Sequence, residues 1–545
     1  MSKNEKIELG LLILFSLGVY LIGIFRIPLM EVDSSGYAAI SHEMFTSKEF
    51  LEVKNYGQNY LDKPPFLFWS SCVSFFIFGV TDWAYRIPSF LFTLLGLYST
   101  YRLARLFYGE RKAWFALLIQ VSCLASYLIS HDVRTDTILL NAVIFAVWQF
   151  MEHFTGTRRL YNLLLGFLGI GIAMLEKGPI GFIVPAFAIL TWIYFQRNWI
   201  QLVHPKWLLG LLVTAILLIP MCIGLYHQHG WEGIRFYFWT QSFGRITGEN
   251  SWRNDTDPFF FLHTFLWSFI PWSFLALIAL FSRIIQTCRQ RLQMDANAVT
   301  PAMVFVLTLV GMSFSNYKLP HYIYVVFPFA SLVTADWSID FLTRQKPFSK
   351  ILYISHYVYF GLLIIAGISM VYLVFPEHHR DLILITIIAL LLVAILVISQ
   401  QNRFTRFMIA GAGVTCVVNL ILNLFFYPQL LQFQSGKPAA NFLERTHANP
   451  ESVFMMNVIP NSILFYGKHK FPTIHVNQVD SLVKRYHKIW IYTNENGLES
   501  LDLDGQKIAF RQPFVHFPVT MLNMKFLNPA TRAEVIKYRY LVRIE

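Results

Sequence analysis

Charge is scarce in this sequence. Of its 545 residues only 14% are Asp, Glu, Lys or Arg, where a soluble protein of ordinary composition carries about a quarter. Cysteine is scarce too: Cys72, Cys123, Cys222, Cys288 and Cys416 lie far apart with no CxxC pair. That spacing supports neither a disulfide framework nor a cysteine zinc site. His227 and His229 make a lone histidine pair beside a glycine, too few donors for a metal centre. No internal repeat is visible, which argues against a solenoid or propeller. A cleavage site is missing as well: the apolar run from Ile7 to Phe25 leads into "RIPLMEVDSSGYA". The run therefore reads as a retained span and not as a signal peptide.

What is present is apolar. Hydrophobic residues make up 55% of the chain and aromatics 17%, and long apolar runs recur from residue 7 to about 427. Many are long enough to cross a hydrocarbon core of about 30 Å. The sequence predicts a polytopic α-helical membrane protein. The net charge of +12 then reflects Lys and Arg gathered in cytoplasmic loops, and no nucleic-acid partner is expected. Basic clusters at Lys3/Lys6, Arg102–Lys112, Arg158/Arg159, Arg197/Lys206, Arg283–Arg291, Arg344–Lys350 and Arg403/Arg406 mark one side of the bilayer. Placing them all inside predicts thirteen spans, at 7–26, 86–107, 112–130, 138–154, 160–176, 179–196, 207–226, 259–282, 300–315, 321–340, 351–375, 382–400 and 405–427. The run from Phe66 to Val80 is short for a crossing and is expected to lie at the outer face. An odd number of spans puts the N-terminus inside and the C-terminus outside.

The chain divides accordingly. Residues 1–427 form a membrane domain with external loops at 27–85, 131–137 and 227–258. Residues 428–545 become polar, with a helical pattern near Pro438–Arg445 and strand-like runs such as "SVFMMNV" and "KIWIYT" around a turn signal "NENG". They predict a small soluble α/β domain on the outer face.

The ionisable residues of the outer loops cluster beside spans. Glu31 and Asp33 follow the first span, and "YLDKPPFLFW" places Asp62 and Lys63 against an aromatic run. "SHDVRTDT" carries Asp132, Arg134 and Asp136, "LEKGP" carries Glu176 and Lys177, and "SNYKLPHY" carries Lys318. Interfaces attract such residues by snorkelling. As a set, however, external cations beside carboxylates are unusual, and charges near lipid depth usually face a cavity. A cavity collecting both signs suits a reaction that deprotonates one group and stabilises an anionic leaving group.

The ordered motifs "EVDSSGYAAISHEM", "YLDKPPFLFW", "DWAYRIPSFLF", "RTDT", "LEKGPIG", "DPFFFL…FIPW" and "SNYKLPHYIYVVFPFASL" resemble a known family. It comprises the bacterial membrane glycosyltransferases that include lipid A aminoarabinose transferase, relatives of the protein O-mannosyltransferases. The resemblance runs over about residues 8–340. It implies the C-type glycosyltransferase fold and a sugar donor carried on a polyprenyl phosphate, used on the outer face of the bacterial inner membrane. The acceptor is then an envelope lipid, glycan or protein. By position, Asp33 resembles the first-loop acid beside the acceptor hydroxyl, Lys63 the lysine that binds the lipid-linked phosphate, and Asp136 the second-loop carboxylate. Three positions depart from the aminoarabinose enzymes: Gly36, where they tend to carry Arg, Asp62, where they have Glu, and the region of Asp255, where they have His.

These assignments predict an inverting single displacement. Asp33 takes the acceptor's proton while the sugar's C1 leaves the polyprenyl phosphate. Lys63, Arg134, Arg245 and Lys318 are the candidates to carry the leaving phosphate's charge. Asp62 either orients Lys63 or, with Asp255, holds a divalent metal, the one cofactor in question. The rival reading from another class is a transporter or flippase for a lipid-linked sugar.

Overall fold

Prolines, glycines and basic residues cut the apolar runs into helices. The computed structural model describes the whole chain except residues 156–159, 248, 250–253, 255, 291–292, 345–346, 377–379 and 460. The first run is α1 (Lys3–Arg26), capped by Ser2, whose hydroxyl accepts from Glu5 N at 3.1 Å. A loop then leads to α2 (Asp33–Ser47), a hairpin of β1 (Lys54–Asn55) and β2 (Gln58–Asn59), and α3 (Phe66–Phe78). The next four helices are α4 (Asp82–Tyr108), α5 (Glu110–Ser122), α6 (Leu124–His131) and α7 (Thr135–Thr155). After them come α8 (Leu160–Lys177), α9 (Ile180–Gln196), α10 (Lys206–Arg235) and the single turn α11 (Gly244–Thr247). The membrane part closes with α12 (Phe260–Ser268), α13 (Ser273–Gln290), α14 (Ala296–Ser313), α15 (Phe327–Leu342), α16 (Pro347–Val374), α17 (Arg380–Ile398) and α18 (Arg403–Ile421).

Each of the thirteen expected spans coincides with helix. Among the described residues nine helical segments are long and apolar enough to cross a membrane, and the bent pair α5–α6 makes ten. The remaining three are α4, with Arg86, Arg102 and Arg105 along it, α9, which has 17 residues, and the interrupted α12–α13. The two interruptions answer each other. Leu124 N, freed at the 55° bend between α5 and α6, donates to Ile270 O at 2.8 Å, in the break between α12 and α13. Trp272 Nε1 donates to Ser122 Oγ at 2.9 Å. Backbone groups have no water to turn to at such depth, so each break supplies the other's partner. One expectation is corrected here. The outer loop foreseen from residue 227 is helical through Arg235 and continues as a π-turn, Phe236–Thr240. The chain changes direction inside the helix instead, at Gly230, whose φ of 61° suits glycine.

After α18 the chain passes through α19 (Tyr427–Leu430) and α20 (Gly436–Arg445). It then folds as β3 (Val453–Met456), α21 (Asn461–Gly467), α22 (Val479–Tyr486), β4 (Ile489–Asn494), α23 (Glu495–Leu503), β5 (Ile508–His516), α24 (Met524–Leu527) and β6 (Lys537–Ile544). The sheet order is β3-β4-β6-β5, with β3 and β4 parallel and the other pairs antiparallel. "NENG" is not a turn: Asn494 caps α23, its Oδ1 accepting from Gly497 N at 2.9 Å. Turn and N-cap draw on the same residue types. Ser435 Oγ lies 2.6 Å from Tyr492 Oη and 2.9 Å from His516 Nδ1. Burial, with Arg539 and Lys537 nearby, pushes His516 down to about 3, so it stays neutral at physiological pH.

This domain shares a core with the first loop. Tyr37, Ile40 and Met44 of α2 and Phe68 and Phe75 of α3 are buried in one apolar cluster with Leu443, Met455, Ile463, Phe465 and Trp490. Polar contacts reinforce it. Gln434 accepts from Glu31 N at 2.7 Å and donates to Leu29 O at 3.0 Å, and Tyr466 Oη accepts from Leu29 N at 2.8 Å.

The hairpin and the residues just before it are seated on α10. Gln228 Oε1 accepts from Val53 N at 3.1 Å, and its Nε2 donates to Val53 O at 2.9 Å and Asn59 Oδ1 at 3.0 Å. Gly224 lets the backbone come this near: a Cβ there would lie 1.8 Å from Leu51 O. Gly224→Ala is therefore expected to displace the segment and cost about 1–3 kcal/mol, read as a lower Tm of the detergent-purified protein. Gly10→Ala, whose Cβ would meet nothing within 4 Å, is the control that leaves Tm unchanged.

Candidate active site

Four loops converge at the end of the bundle that carries the C-terminal domain. Asp33 is the first residue of α2, where a negative charge faces the positive end of the helix dipole. Its Oδ2 accepts from Arg134 Nη1 at 2.5 Å. Arg134 also binds Asp132, through Nε at 3.1 Å and Nη2 at 3.0 Å, and its Nη1 lies 3.1 Å from His321 Nδ1. Burial opposes the guanidinium charge, but Asp132 and Asp33 outweigh it and hold Arg134 above its ordinary range. On the far side His321 Nε2 stands 3.6 Å from Asp136 Oδ2. Asp136 also accepts from Lys177 Nζ, which sits 3.5 Å from the centre of the Tyr322 ring. Positive and negative groups thus alternate from Asp33 to Lys177, with an imidazole in the middle.

Lys63 belongs to a second cluster. Its Nζ donates to Asp62 Oδ2 at 2.8 Å, Tyr60 Oη reaches the same oxygen at 3.4 Å, and Gln241 Nε2 donates to the Asp62 backbone carbonyl. Burial, then Asp62 and Asp33, raise the Tyr60 hydroxyl well above its usual range, so it remains a donor. Pro64 and Pro65 follow, and Pro65 stands as the N-cap of α3. Proline suits that position because its missing N–H is one the helix leaves unpaired.

The two clusters meet at a cavity of about 320 Å³. Lys63, Lys177 and Gln241 line its polar part, while Ile183 and Phe187 of α9 and Met312 of α14 supply apolar wall. A site with two ammonium groups at one part and an apolar lining elsewhere fits an amphiphile with an anionic head.

Known proteins resemble this chain in sequence and in fold. Residues 62–223 match the family model described as dolichyl-phosphate-mannose-protein mannosyltransferase. The chain is 27% identical over 340 residues to the undecaprenyl phosphate-alpha-4-amino-4-deoxy-L-arabinose arabinosyl transferase of Aeromonas hydrophila, covering 61% of this chain and 60% of that protein. The enzyme of the same name from Pseudomonas aeruginosa (strain LESB58) is 28% identical over 329 residues, 59% of this chain and 58% of that one. The solved ArnT from Cupriavidus metallidurans bound to undecaprenyl phosphate superimposes with a TM-score of 0.75. That match covers 98% of this chain and 97% of ArnT at 17% identity. The chain has the C-type glycosyltransferase fold. Its resemblance to the aminoarabinose transferase and protein O-mannosyltransferase family, read from the motifs, is supported by these matches.

Within this fold the candidate residues separate. Asp33, Arg134 and Asp136 belong to one network, Asp62 and Lys63 to its neighbour. Lys318 does not line the cavity: its Nζ donates to Thr256 O at 3.3 Å and Asp257 O at 3.2 Å. The side chain of Arg245, and Asp255 entirely, lie outside the described residues. Lys177, in "LEKGP", is a site residue to which the sequence motifs assign no role. Its signal was a lysine at a span end followed by Gly178, whose φ is 73°. Among the described residues no three His, Cys, Asp or Glu side chains stand close enough to hold a metal ion. Asp62 is surrounded instead by donors from Lys63, Tyr60 and Gln241.

Asp136, buried at 6% side-chain exposure, holds both Lys177 and His321. Asp136→Ala strands an ammonium and is expected to destabilise the protein by about 3–5 kcal/mol, measured as a drop in Tm. Pairing it with Lys177→Ala tests the cause: the second loss should add little if the stranded charge dominates.

Proposed function

We propose that the protein transfers a sugar from a polyprenyl-phosphate carrier to an envelope acceptor, lipid, glycan or protein, on the outer face of the bacterial inner membrane. The observation that carries this reading is the cavity with Lys63 and Lys177 at its polar part and apolar walls. The names of the relatives, with their undecaprenyl phosphate-linked amino-arabinose, support the same donor class. The chain spans 60% of the length of the first of these relatives, so donor sugar and acceptor are part of the proposal. The N-terminus is placed in the cytoplasm, the catalytic loops and C-terminal domain in the periplasm.

The reaction follows from the two clusters. Asp33, oriented by Arg134, accepts the proton of an acceptor hydroxyl. The acceptor oxygen attacks C1 of the sugar from the face opposite the phosphate, the C1–O bond to the phosphate breaks, and the configuration inverts. The charge released onto the polyprenyl phosphate is met by the Lys63 and Lys177 ammonium groups, which stabilise the transition state more than the ground state. Asp136 acts through Lys177 by fixing its position, and Asp62 does the same for Lys63.

Purified protein given donor and acceptor in detergent, with no second compartment, should form glycosylated product, which a transporter would not. Asp33→Asn keeps shape but loses the base, and turnover should fall at least about 10²-fold while binding of a polyprenyl-phosphate analogue persists. Lys63→Ala and Lys177→Ala should each lower turnover by roughly 10²–10³-fold and weaken the analogue. Unchanged affinity in both folded variants would leave the phosphate to Arg134, Arg245 or Lys318. A periplasm-active reporter fused after Gln434 should be active, and silence there would overturn the placement of the C-terminal domain.

A further inference from the structure

Arg86 stands one turn inside α4 and is wholly buried, at 0% exposure. Among the described residues its hydrogen bonds all go to backbone carbonyls and none to a carboxylate. Nε donates to His131 O at 2.8 Å, Nη1 to Ile24 O at 2.8 Å and Ile27 O at 2.6 Å, and Nη2 to Pro28 O at 3.0 Å. These acceptors are the C-terminal end of α1, the two residues after it, and the last residue of α6. Carbonyls at helix C-termini lack intrahelical partners and carry the negative end of the dipole. One planar guanidinium, with donors fixed in a fork, satisfies both helix ends at once.

The two helix ends lead directly into the reacting groups. Pro28 is followed by the turn to Asp33, and His131 by Asp132 and Arg134. Asp33 and Arg134, 101 residues apart in sequence, then meet at 2.5 Å. Beside Arg86, Tyr85 Oη donates to Val133 O at 3.3 Å and holds the second segment again. From this placement we infer that Arg86 is a positioning residue for the proposed base, setting the spacing of the Asp33 and Arg134 segments without touching substrate. Lys63 and Lys177 sit on other segments, so this fork bears first on the base half of the site and reaches the phosphate half only through the Asp136–Lys177 contact.

The inference rests on the transferase reading, and the test keeps the two apart: an inactive wild type fails that reading, whereas an active wild type isolates Arg86. Arg86→Lys keeps the charge but supplies its donors from a single nitrogen, unable to reach both helix ends. In detergent-purified full-length protein it should lower kcat at least about tenfold, with KM for the polyprenyl-phosphate donor within about twofold. Amides of 29–36 and 131–137 should exchange hydrogen faster than in the wild type. In an Arg134→Gln background, where the ion pair is already gone, Arg86→Lys should cost much less than in the wild type. A kcat within twofold of wild type, equal rises in donor KM and falls in kcat, or full additivity with Arg134→Gln would each overturn it. Should Arg86→Lys fail to fold, Tyr85→Phe removes only the hydroxyl on Val133 O. A several-fold lower kcat at unchanged donor KM then supports the inference, and an unchanged kcat overturns it.

Discussion

A charge or loose backbone group in the membrane part is best met by a partner inside the protein, because hydrocarbon offers none. That constraint shapes the site more than any single side chain. Asp33, Arg134, His321, Asp136 and Lys177 form one run in which each group touches the next. A second carboxylate, Asp132, balances Arg134. At the opposite end of the bundle Asp336 takes both Lys112 and Arg283, tying α5, α13 and α15 together by the same rule. The breaks in the helices obey it too, with the bend after α5 bonded to the break after α12.

A consequence is that binding and chemistry are not built by separate parts. Lys177 faces the cavity while its counter-ion Asp136 reaches towards His321, which in turn contacts Arg134, the partner of Asp33. The phosphate end is thus joined to the base end through four contacts. Buried networks of this kind are rigid when complete and costly when a member is removed.

The C-terminal domain takes part in the same construction. Its α21 lies along α2, with Asn461 Nδ2 donating to Val32 O at 3.3 Å, next to Asp33, and Ser462 donating to Glu31. The short sheet could not bury its apolar face alone, and α2 and α3 supply what it lacks. The domain is thus a wall of the first loop. A Cβ at Gly36, which departs from the resembling family, would lie 3.7 Å from the Asn461 side chain.

Much of this was legible in the sequence. Runs of apolar residues longer than a bilayer core imply spans by length and transfer energy alone, and all thirteen are helical. The charges of "YLDKPPFLFW", "RTDT" and "LEKGP" stood out because they adjoin apolar runs where charge is expensive. What stayed hidden was partnership. Nothing local distinguishes Lys177, which lines the cavity, from Lys318, whose ammonium goes to two carbonyls. Nor does Arg86, at the start of a span, reveal that it binds the ends of two other helices. "NENG" and the segment after residue 227 were misread because glycine and asparagine serve turns, caps and kinks alike. The sequence by itself determined where the chain is membrane-like, through hydrophobicity, which depends on composition over a window. Only the tertiary structure decided which charge meets which, because an ion pair or a hydrogen bond depends on distances of a few ångströms between residues a hundred or more positions apart.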